Sequence, residues 1–358
     1  MRTIVITGFL TMFFVASLFA QTEKYDTKRF AAKVNPNAQL TVSNKYGDVV
    51  FVQWEKDSIV AEIEYRVRSN KPQTVEALFK MIDFSYYGST SNIIISTELR
   101  MDYNNLSNLL RSVTAGSNTI SINYKIYLPA NTKIKATNKF GNIILGNTTA
   151  NLDITLDNGN LTIGKISGYF VLDMTYGNAN IQSVKEGNLS FGFGDLDIRT
   201  AQNLHLNSKL SRVNIEEVNK LSINSLRDKY YLGKISVING KSNFSFMNLQ
   251  NLVQAVQLNL KYGGIVIAKS GAELKSINLN AEYSNININL SDGIPFDFDI
   301  IHSAGTMLTM PSQTVYSSKS QLTQPKNTTR SVGYSGRQNA NLKVVVSNKE
   351  GQILISNL

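Results

Sequence analysis

Apolar and polar residues alternate along most of this chain, in short stretches that end at turn-forming residues. Apolar side chains at every second position are typical of β-strands that bury one face and leave the other in solvent. Helical spacing is confined to residues 72–82, where Pro72 suits a first helical turn. The pattern therefore predicts an all-β protein with one short helix. The clearest alternating stretches are Leu152-Ile154-Leu156, Leu161-Ile163, Phe170-Leu172-Met174, Ala179-Ile181, Leu196-Ile198 and Ile286-Ile288-Leu290.

A turn motif recurs before many of these strands. It consists of an aromatic residue or Asn, then Gly, then Asn or Asp. From Gly141 onward the motif returns at a nearly constant interval, with glycines at Gly141, Gly159, Gly177 and Gly194. A short fixed period means that each repeat buries its apolar face against its neighbours. We therefore expect a single-chain β-solenoid, similar to a parallel β-helix, with about 18 residues per repeat. The best copies are Tyr46-Gly47-Asp48, Phe140-Gly141-Asn142, Asn158-Gly159-Asn160, Tyr176-Gly177-Asn178 and Phe193-Gly194-Asp195.

Weaker copies of the motif continue toward the C-terminus at wider intervals. After Ser211 the Gly position next falls at Gly233, Gly263 and Ser284, so the sequence predicts less regular stacking there. These copies are Leu210-Ser211-Arg212, Leu232-Gly233-Lys234, Tyr262-Gly263-Gly264, Tyr283-Ser284-Asn285 and Glu350-Gly351-Gln352.

Five segments are expected along the chain. The helix follows from Val75, Leu78, Phe79 and Ile82, which share one helical face, and stacked repeats need a cover at their ends. Residues 310–341 are rich in Ser, Thr and Gln and lack apolar alternation, which predicts a flexible loop. The segments are a signal peptide (1–20), N-terminal strands with a capping helix at about 72–82 (21–130), β-strand repeats (131–309), the loop (310–341) and closing strands (342–358).

The first twenty residues have the features of a secretory signal. Arg2 supplies a positive charge, residues 4–19 are nearly all apolar, and Ala20 offers a small residue before the cleavage point. The apolar stretch is shorter and more interrupted than a membrane-spanning helix, so we expect cleavage and no transmembrane anchor afterwards. This predicts export to the periplasm, the outer-membrane surface or the extracellular space.

Composition limits the chemistry of the chain. It has no Cys, which excludes thiol catalysis, iron–sulfur clusters and cysteine-based zinc sites. The formal net charge is +10, and removal of residues 1–20 with their single Arg leaves +9. The Lys and Arg residues are scattered without a block of five, which argues against a nucleic-acid partner.

No catalytic residue, cofactor or metal site is predicted. Only His205 and His302 could act as the base of a nucleophilic triad, and His205 lies on the outward face of a strand. A carbohydrate-cleaving site on such a fold needs several carboxylates together. Alignment of the repeats on their glycines leaves the acids between residues 153 and 197 in different columns.

One heptapeptide occurs twice in similar form. Asn-Lys-Tyr-Gly-Asp-Val-Val at 44–50, followed by Trp54, recurs as Asn-Lys-Phe-Gly-Asn-Ile-Ile at 138–144. With the signal peptide and the Tyr-Gly-Asn turns, this pattern resembles the bacterial "putative adhesin" family of β-strand-repeat proteins, a domain of unknown function. The resemblance covers about residues 30–358 and implies a β-solenoid in the bacterial envelope. It implies no catalytic residues.

These observations favour a non-enzymatic, exported envelope or surface protein that is adhesin-like. Its polar β-face would bind a surface polymer such as a polysaccharide, or another envelope protein. Two alternatives stay open, which are a carbohydrate-active β-helix enzyme and an envelope stress or regulatory factor.

Four polar residues form the candidate binding site. Thr162, Asn180, Asp197 and Asn214 each lie three residues after the Gly position of successive repeats, between two inward apolar residues. In-register stacking would place them in one outward column at steps of ~4.8 Å. The aromatic residues before the Gly position are expected to pack the corners in preference to stacking on sugar rings. They are Tyr46, Phe140, Tyr176, Phe193, Tyr262 and Tyr283.

Overall fold

The computed structural model describes residues 22–100, 118–324 and 326–357, and the predicted signal peptide lies outside this part. Within it the chain forms 25 β-strands and one α-helix, so the predicted all-β class is confirmed. The first elements are β1 (Thr22–Lys33), β2 (Gln39–Lys45), β3 (Val49–Trp54), β4 (Ser58–Ser69), α1 (Pro72–Met81), β5 (Ile82–Ser89), β6 (Asn92–Leu99), β7 (Asn118–Pro129), β8 (Lys133–Lys139) and β9 (Ile143–Leu145). The middle strands are β10 (Leu152–Asp157), β11 (Leu161–Thr175), β12 (Ala179–Gly192), β13 (Asp195–Lys209), β14 (Arg212–Leu226), β15 (Lys229–Asn243), β16 (Phe246–Lys261) and β17 (Gly264–Ile267). The last strands are β18 (Ser276–Glu282), β19 (Ser284–Leu290), β20 (Phe296–Ser303), β21 (Thr306–Thr309), β22 (Thr314–Leu322), β23 (Thr328–Ser335), β24 (Leu342–Asn348) and β25 (Gly351–Asn357).

Parallel pairing joins each repeat of the chain to the next. Ile143 pairs with Leu161 and Leu161 with Ala179. Ala179 then pairs with Leu196, and Leu196 with Val213. The strands that follow the first four glycines of the regular repeat therefore stack in register within one sheet, as the sequence predicts.

The inward side chains of the stacked strands form one continuous apolar core. Ile163, Ile181, Ile198 and Ile215 occupy the same position in four consecutive repeats, and none is more than 2% exposed. Because side chains alternate in direction along each strand, every second residue is buried in this way and the others face outward.

A residue with a left-handed backbone precedes the strand of nearly every repeat. From Phe140 to Tyr262 these residues are almost evenly spaced along the chain, and the step from Tyr262 to Tyr283 is longer. Their φ angles lie between 50° and 68°, a region that residues with a Cβ seldom adopt. They are Tyr46, Phe140, Asn158, Tyr176, Phe193, Leu210, Arg227, Phe244, Tyr262 and Tyr283.

Two of these turns correct the alignment made from the sequence. The turn predicted at 232–234 is wrong, because Gly233 lies inside β15. The turns of this region are at Arg227 and Phe244. A search for glycine missed them because Asp228 and Ser245 stand in the Gly position. The strands of this region pair in parallel as in the earlier repeats, with one register shift between Ile235 and Val237, so the wider intervals expected from the sequence do not occur.

Glycine follows the left-handed residue where successive turns approach each other closely. A Cβ on Gly159 would lie 2.0 Å from the carbonyl oxygen of Gly141, and a Cβ on Gly177 would lie 1.8 Å from that of Gly159. Side chains do not fit at such distances unless the backbone moves. The repeated glycine is thus a requirement of turn-on-turn packing.

Hydrogen bonds replace the glycine contact in the next repeats. The carboxylate of Asp228 is buried and accepts hydrogen bonds from the hydroxyls of Ser208 and Ser225, both at 2.7 Å, and from the backbone N–H of Ser211 at 2.8 Å. The hydroxyl groups of Ser208 and Tyr230 are also hydrogen-bonded to each other. Burial raises the pKa of Tyr230 well above its usual value. None of the described residues forms an ion pair with Asp228, so these donors stabilise its charge.

Antiparallel strands and the helix lie beside the first repeats. β1 pairs with β4, and β4 pairs with β7. The helix α1 packs against β4, β1 and β5 through Val75, Leu78 and Met81. The helix predicted at 72–82 is therefore present, and Ile82 is the first residue of the strand that follows it.

An antiparallel hairpin lies beside the last repeats and corrects the loop predicted at 310–341. β22 pairs with β23, and β23 pairs with β20. The residues of β22 carry no strand signal in the sequence because nearly all of them are exposed, so no apolar alternation is required there. The last two strands, β24 and β25, lie within the segment 342–358.

The buried network around Asp228 makes a stability prediction. Asp228→Ala would leave two buried hydroxyls and a buried N–H without their acceptor, so we expect the free energy of unfolding to fall by roughly 3–5 kcal/mol. Asp173→Ala is the control because Asp173 is exposed, and it should change stability by less than ~0.5 kcal/mol. Denaturant unfolding followed by circular dichroism measures both. Equal stability of the two variants would contradict this role of Asp228.

Candidate binding face

The four predicted site residues form one column, which we call the polar column. Thr162 pairs with Asn180, Asn180 with Asp197, and Asp197 with Asn214. Thr162 and Asn180 are exposed, while Asp197 and Asn214 are partly exposed. The structure therefore brings all four together on the outward face, on adjacent strands ~4.8 Å apart.

Within the polar column the side chains differ in their freedom to bind. Nδ2 of Asn214 donates a hydrogen bond to Oδ1 of Asp197 at 2.6 Å. The side chains of Thr162 and Asn180 have no hydrogen-bond partner in the described part of the chain. Thr162 and Asn180 can therefore bind a ligand without breaking a hydrogen bond within the protein.

A second outward column, two residues earlier in each repeat, has a structural role. The Oδ1 atom of each residue accepts a hydrogen bond from the backbone N–H of its counterpart in the next repeat. These bonds run from Asp48 through Asn142, Asn160 and Asn178 to Asp195, with lengths between 2.8 and 3.1 Å. Asp195 occupies the Asn position of its repeat, and its N–H closes this ladder.

The polar column continues into a groove that the sequence analysis missed. Asn214 pairs with Tyr231, and the column runs on through Asn248, Val266 and Asn287. The groove has a volume of about 440 Å³. Its lining includes Tyr231, Asn248, Val266 and Asn287 of the column, and Phe246. The misplaced turn at 232–234 hid it, because that alignment put Tyr231 outside the column.

The aromatic residues of the turns stack along the corners in a row that is partly exposed. Five of the six are between 36% and 53% exposed, and only Tyr46 is buried. A left-handed residue projects its side chain away from the core at the corner. The rings stack on one another with centroids 4.7–5.4 Å apart, as in the pairs Tyr46–Phe140, Tyr176–Phe193 and Tyr262–Tyr283.

The faces of these turn rings are largely covered. Stacked neighbours occupy one face, and Nζ of Lys139 lies 5.2 Å from the centroid of Phe140 while Nζ of Lys209 lies 5.7 Å from that of Phe193. Sugar rings stack on aromatic faces, so this row offers them mainly ring edges. The exposed rings of the groove, Tyr231 and Phe246, are therefore better placed to stack on a sugar than the rings of the turns.

The outward acids of the regular repeats lie apart from one another. Asp173 pairs with Thr155 and Ser190, so the acids occupy different columns, as predicted. His205 is exposed between two buried leucines. No group of three acidic or histidine residues in the described part of the chain could hold a metal ion.

Comparison with known proteins gives similarity only among solved structures. No family model and no curated protein matches the chain. A "putative cell adhesion protein" from Clostridium sporogenes is 10% identical, with 93% of this chain and 100% of that chain covered and a TM-score of 0.19. A "putative adhesin" from Bacteroides fragilis is 12% identical, with 94% and 97% covered and a TM-score of 0.33. A "putative adhesin" from Parabacteroides merdae is 11% identical, with 74% and 95% covered and a TM-score of 0.34.

These descriptions agree with the resemblance that the repeated heptapeptide indicates. Identities of 10–12% leave the ligand to be argued from the chain's own surface. In the part of the chain that the structure describes, no helix is both long and apolar enough to cross a membrane.

The two outward columns should respond differently to mutation. Asn160→Ala removes the acceptor of the Asn178 N–H, so we expect the free energy of unfolding to fall by about 1 kcal/mol. Asn160→Asp retains an acceptor oxygen and should change it by less than ~0.5 kcal/mol, as should Asn180→Ala in the polar column. Denaturant unfolding of the three variants tests this distinction. It would be refuted if Asn180→Ala proved as destabilising as Asn160→Ala.

Proposed function

We propose that this chain is a non-enzymatic, exported, adhesin-like protein of the cell envelope or surface. Its repeats form a β-solenoid, and the outward face that carries the polar column binds a polysaccharide. The proposal depends most on one observation, the in-register alignment of Thr162, Asn180, Asp197 and Asn214.

A repetitive partner fits this surface for a geometric reason. The column presents hydroxyl, amide and carboxylate groups at steps of ~4.8 Å, and each strand keeps the same outward direction. A polymer chain laid along the column would meet donors and acceptors at every step. A globular envelope protein would match such a narrow, straight array less well.

The N-terminal sequence supports the exported location. The apolar residues 4–19 with Arg2 and Ala20 fit a cleaved signal peptide, and the absence of Cys from the sequence excludes a lipid anchor through cysteine. A carbohydrate-active enzyme has less support, because the outward acids lie in different columns.

The polar column can be tested with a pair of matched double variants. The protein is applied to a glycan array and to immobilised polysaccharides, and each polysaccharide is also examined for shortening of its chains. Asn180→Ala with Asp197→Ala should weaken binding by roughly tenfold, since two polar contacts per ligand are lost. Asn188→Ala with His205→Ala is the control, because these residues are exposed at paired positions of β12 and β13 in a different column.

Three results would count against the proposal. Binding that is lost equally in both double variants would place the site elsewhere. Depolymerisation of a bound polysaccharide would favour the enzyme. Binding to envelope proteins with no binding to any glycan would identify the other class of partner.

A further inference from the structure

The groove at the end of the polar column has two exposed aromatic rings. Tyr231 is 48% exposed and Phe246 is 57% exposed. Unlike the rings of the turns, neither stacks on another ring or lies beneath a cation in the described residues. Large exposed aromatic residues beside a concave surface are typical of ligand sites.

Polar groups line the rest of the groove. Gly264 stands between Phe246 and Asn285 in the outward column, and a ring carbon of Phe246 lies 3.5 Å from the position that a Cβ on Gly264 would take. Asn248 and Asn287, which belong to the polar column, also line the groove. The Oδ1 atom of Asn287 is buried without a hydrogen-bond partner, so rotation of this amide toward a ligand hydroxyl would be favourable.

Four cations lie at the turns of Leu210 and Arg227, next to the strand that carries Tyr231, and we call them the basic corner. They are Lys209 and Arg212 on one repeat, and Arg227 and Lys229 on the next. Arg212 and Lys229 are direct partners on adjacent strands, and Lys229 also lines the groove. All four are exposed, and none has an ion-pair partner among the residues that the structure describes.

The two acids nearest to the basic corner form no ion pair with its cations in the described part of the chain. The charged groups of Lys209 and Arg227 lie over the aromatic rings of Phe193 and Phe244. The acid within the corner, Asp228, is buried and hydrogen-bonded to internal donors. The acid of the neighbouring strand in the same column, Asp195, is partly exposed and pairs with Arg212 in register but forms no ion pair with it.

From these features we infer that the groove and the basic corner together bind an acidic polysaccharide, with sugar rings on Tyr231 and Phe246 and anionic substituents at Arg212 and Lys229. This inference rests on the proposed function and names the class of polymer. The ring faces provide apolar contact, the amides of the groove bind hydroxyls, and the cations select chains that carry carboxylate or sulfate groups.

Two other anionic partners fit these features less well. An anionic membrane surface would be attracted by the cations but has no use for a recessed pair of aromatic rings beside amides. A nucleic-acid strand needs a continuous track of cations along its phosphates, whereas the polar column leading from the basic corner holds Asn214 and Asp197.

The experiment measures affinity for three soluble polymers and for one lipid surface. The polymers are polygalacturonate, dextran sulfate and uncharged dextran, and the surface is a vesicle of phosphatidylcholine and phosphatidylserine. Each titration is performed at low and at high ionic strength. We expect an acidic polymer to bind at least roughly tenfold more tightly than dextran at low ionic strength, with a smaller preference at high ionic strength. Tighter binding of polygalacturonate would identify carboxylate as the preferred anionic group, and tighter binding of dextran sulfate would identify sulfate.

Two variants separate ring contacts from charge. Tyr231→Ala should weaken acidic polymer binding by roughly fivefold to tenfold at either ionic strength. Its control is Tyr169→Ala, because Tyr169 is also exposed but lies outside the groove.

Arg212→Gln with Lys229→Gln should remove most of the preference for acidic over uncharged polymer. Its control is Lys185→Gln with Lys220→Gln, which removes the same charge from exposed residues elsewhere.

The outcomes distinguish this inference from the proposed function. Equal binding of acidic and uncharged polymers, impaired by the variants of Asn180 and Asp197 but not by those of the groove, would overturn the inference and leave the function in place. Binding to the vesicles as tight as to the polymers, with no effect of Tyr231→Ala, would also overturn it. No binding to any polysaccharide would overturn both.

Discussion

The close approach of one turn to the next is the constraint on which the rest of this structure depends. At Gly159 and Gly177 the turns come so near to their neighbours that a Cβ would collide with a carbonyl oxygen. Each turn must therefore lie directly over the previous one, and this keeps the length of the repeat nearly constant through most of the stack. Because a shift of one residue would turn every side chain to the opposite face, the same contact also fixes the outward columns.

The turn environment changes in the middle of the stack, and the surface changes with it. Asp228 occupies the Gly position there, and its charge is stabilised by the hydroxyls of Ser208 and Ser225 inside the protein. That carboxylate is not available to the cations outside. Arg212 and Lys229 consequently remain without an ion-pair partner among the described residues, directly beside the exposed rings of the groove. The buried carboxylate that holds this turn together thus lies beneath a surface that carries unpaired cations.

The outer strands of the sheet show how its edges are protected. β1 pairs on one side with β4 and carries Lys24, Lys28, Arg29 and Lys33, and charged residues on an edge discourage pairing with another chain. At the other end β22 contains a register shift between Tyr316 and Ser318, which interrupts a regular edge. The parallel stack therefore ends in antiparallel strands that differ from it in composition and exposure.

The sequence by itself determined most of the strands, the helix at 72–82, the in-register stacking and the four residues of the polar column. Alternation and a short period suffice for these features, because both follow from local backbone geometry. It did not determine the turns at Arg227 and Phe244, since Asp228 and Ser245 meet the need for close packing by hydrogen bonds that join residues of different repeats. It also predicted no strand at β22, where the exposed edge of a hairpin needs no buried face. Only the tertiary structure placed Tyr231, Phe246 and the cations of the basic corner side by side, because their proximity depends on the pairing of strands that belong to consecutive repeats of the chain.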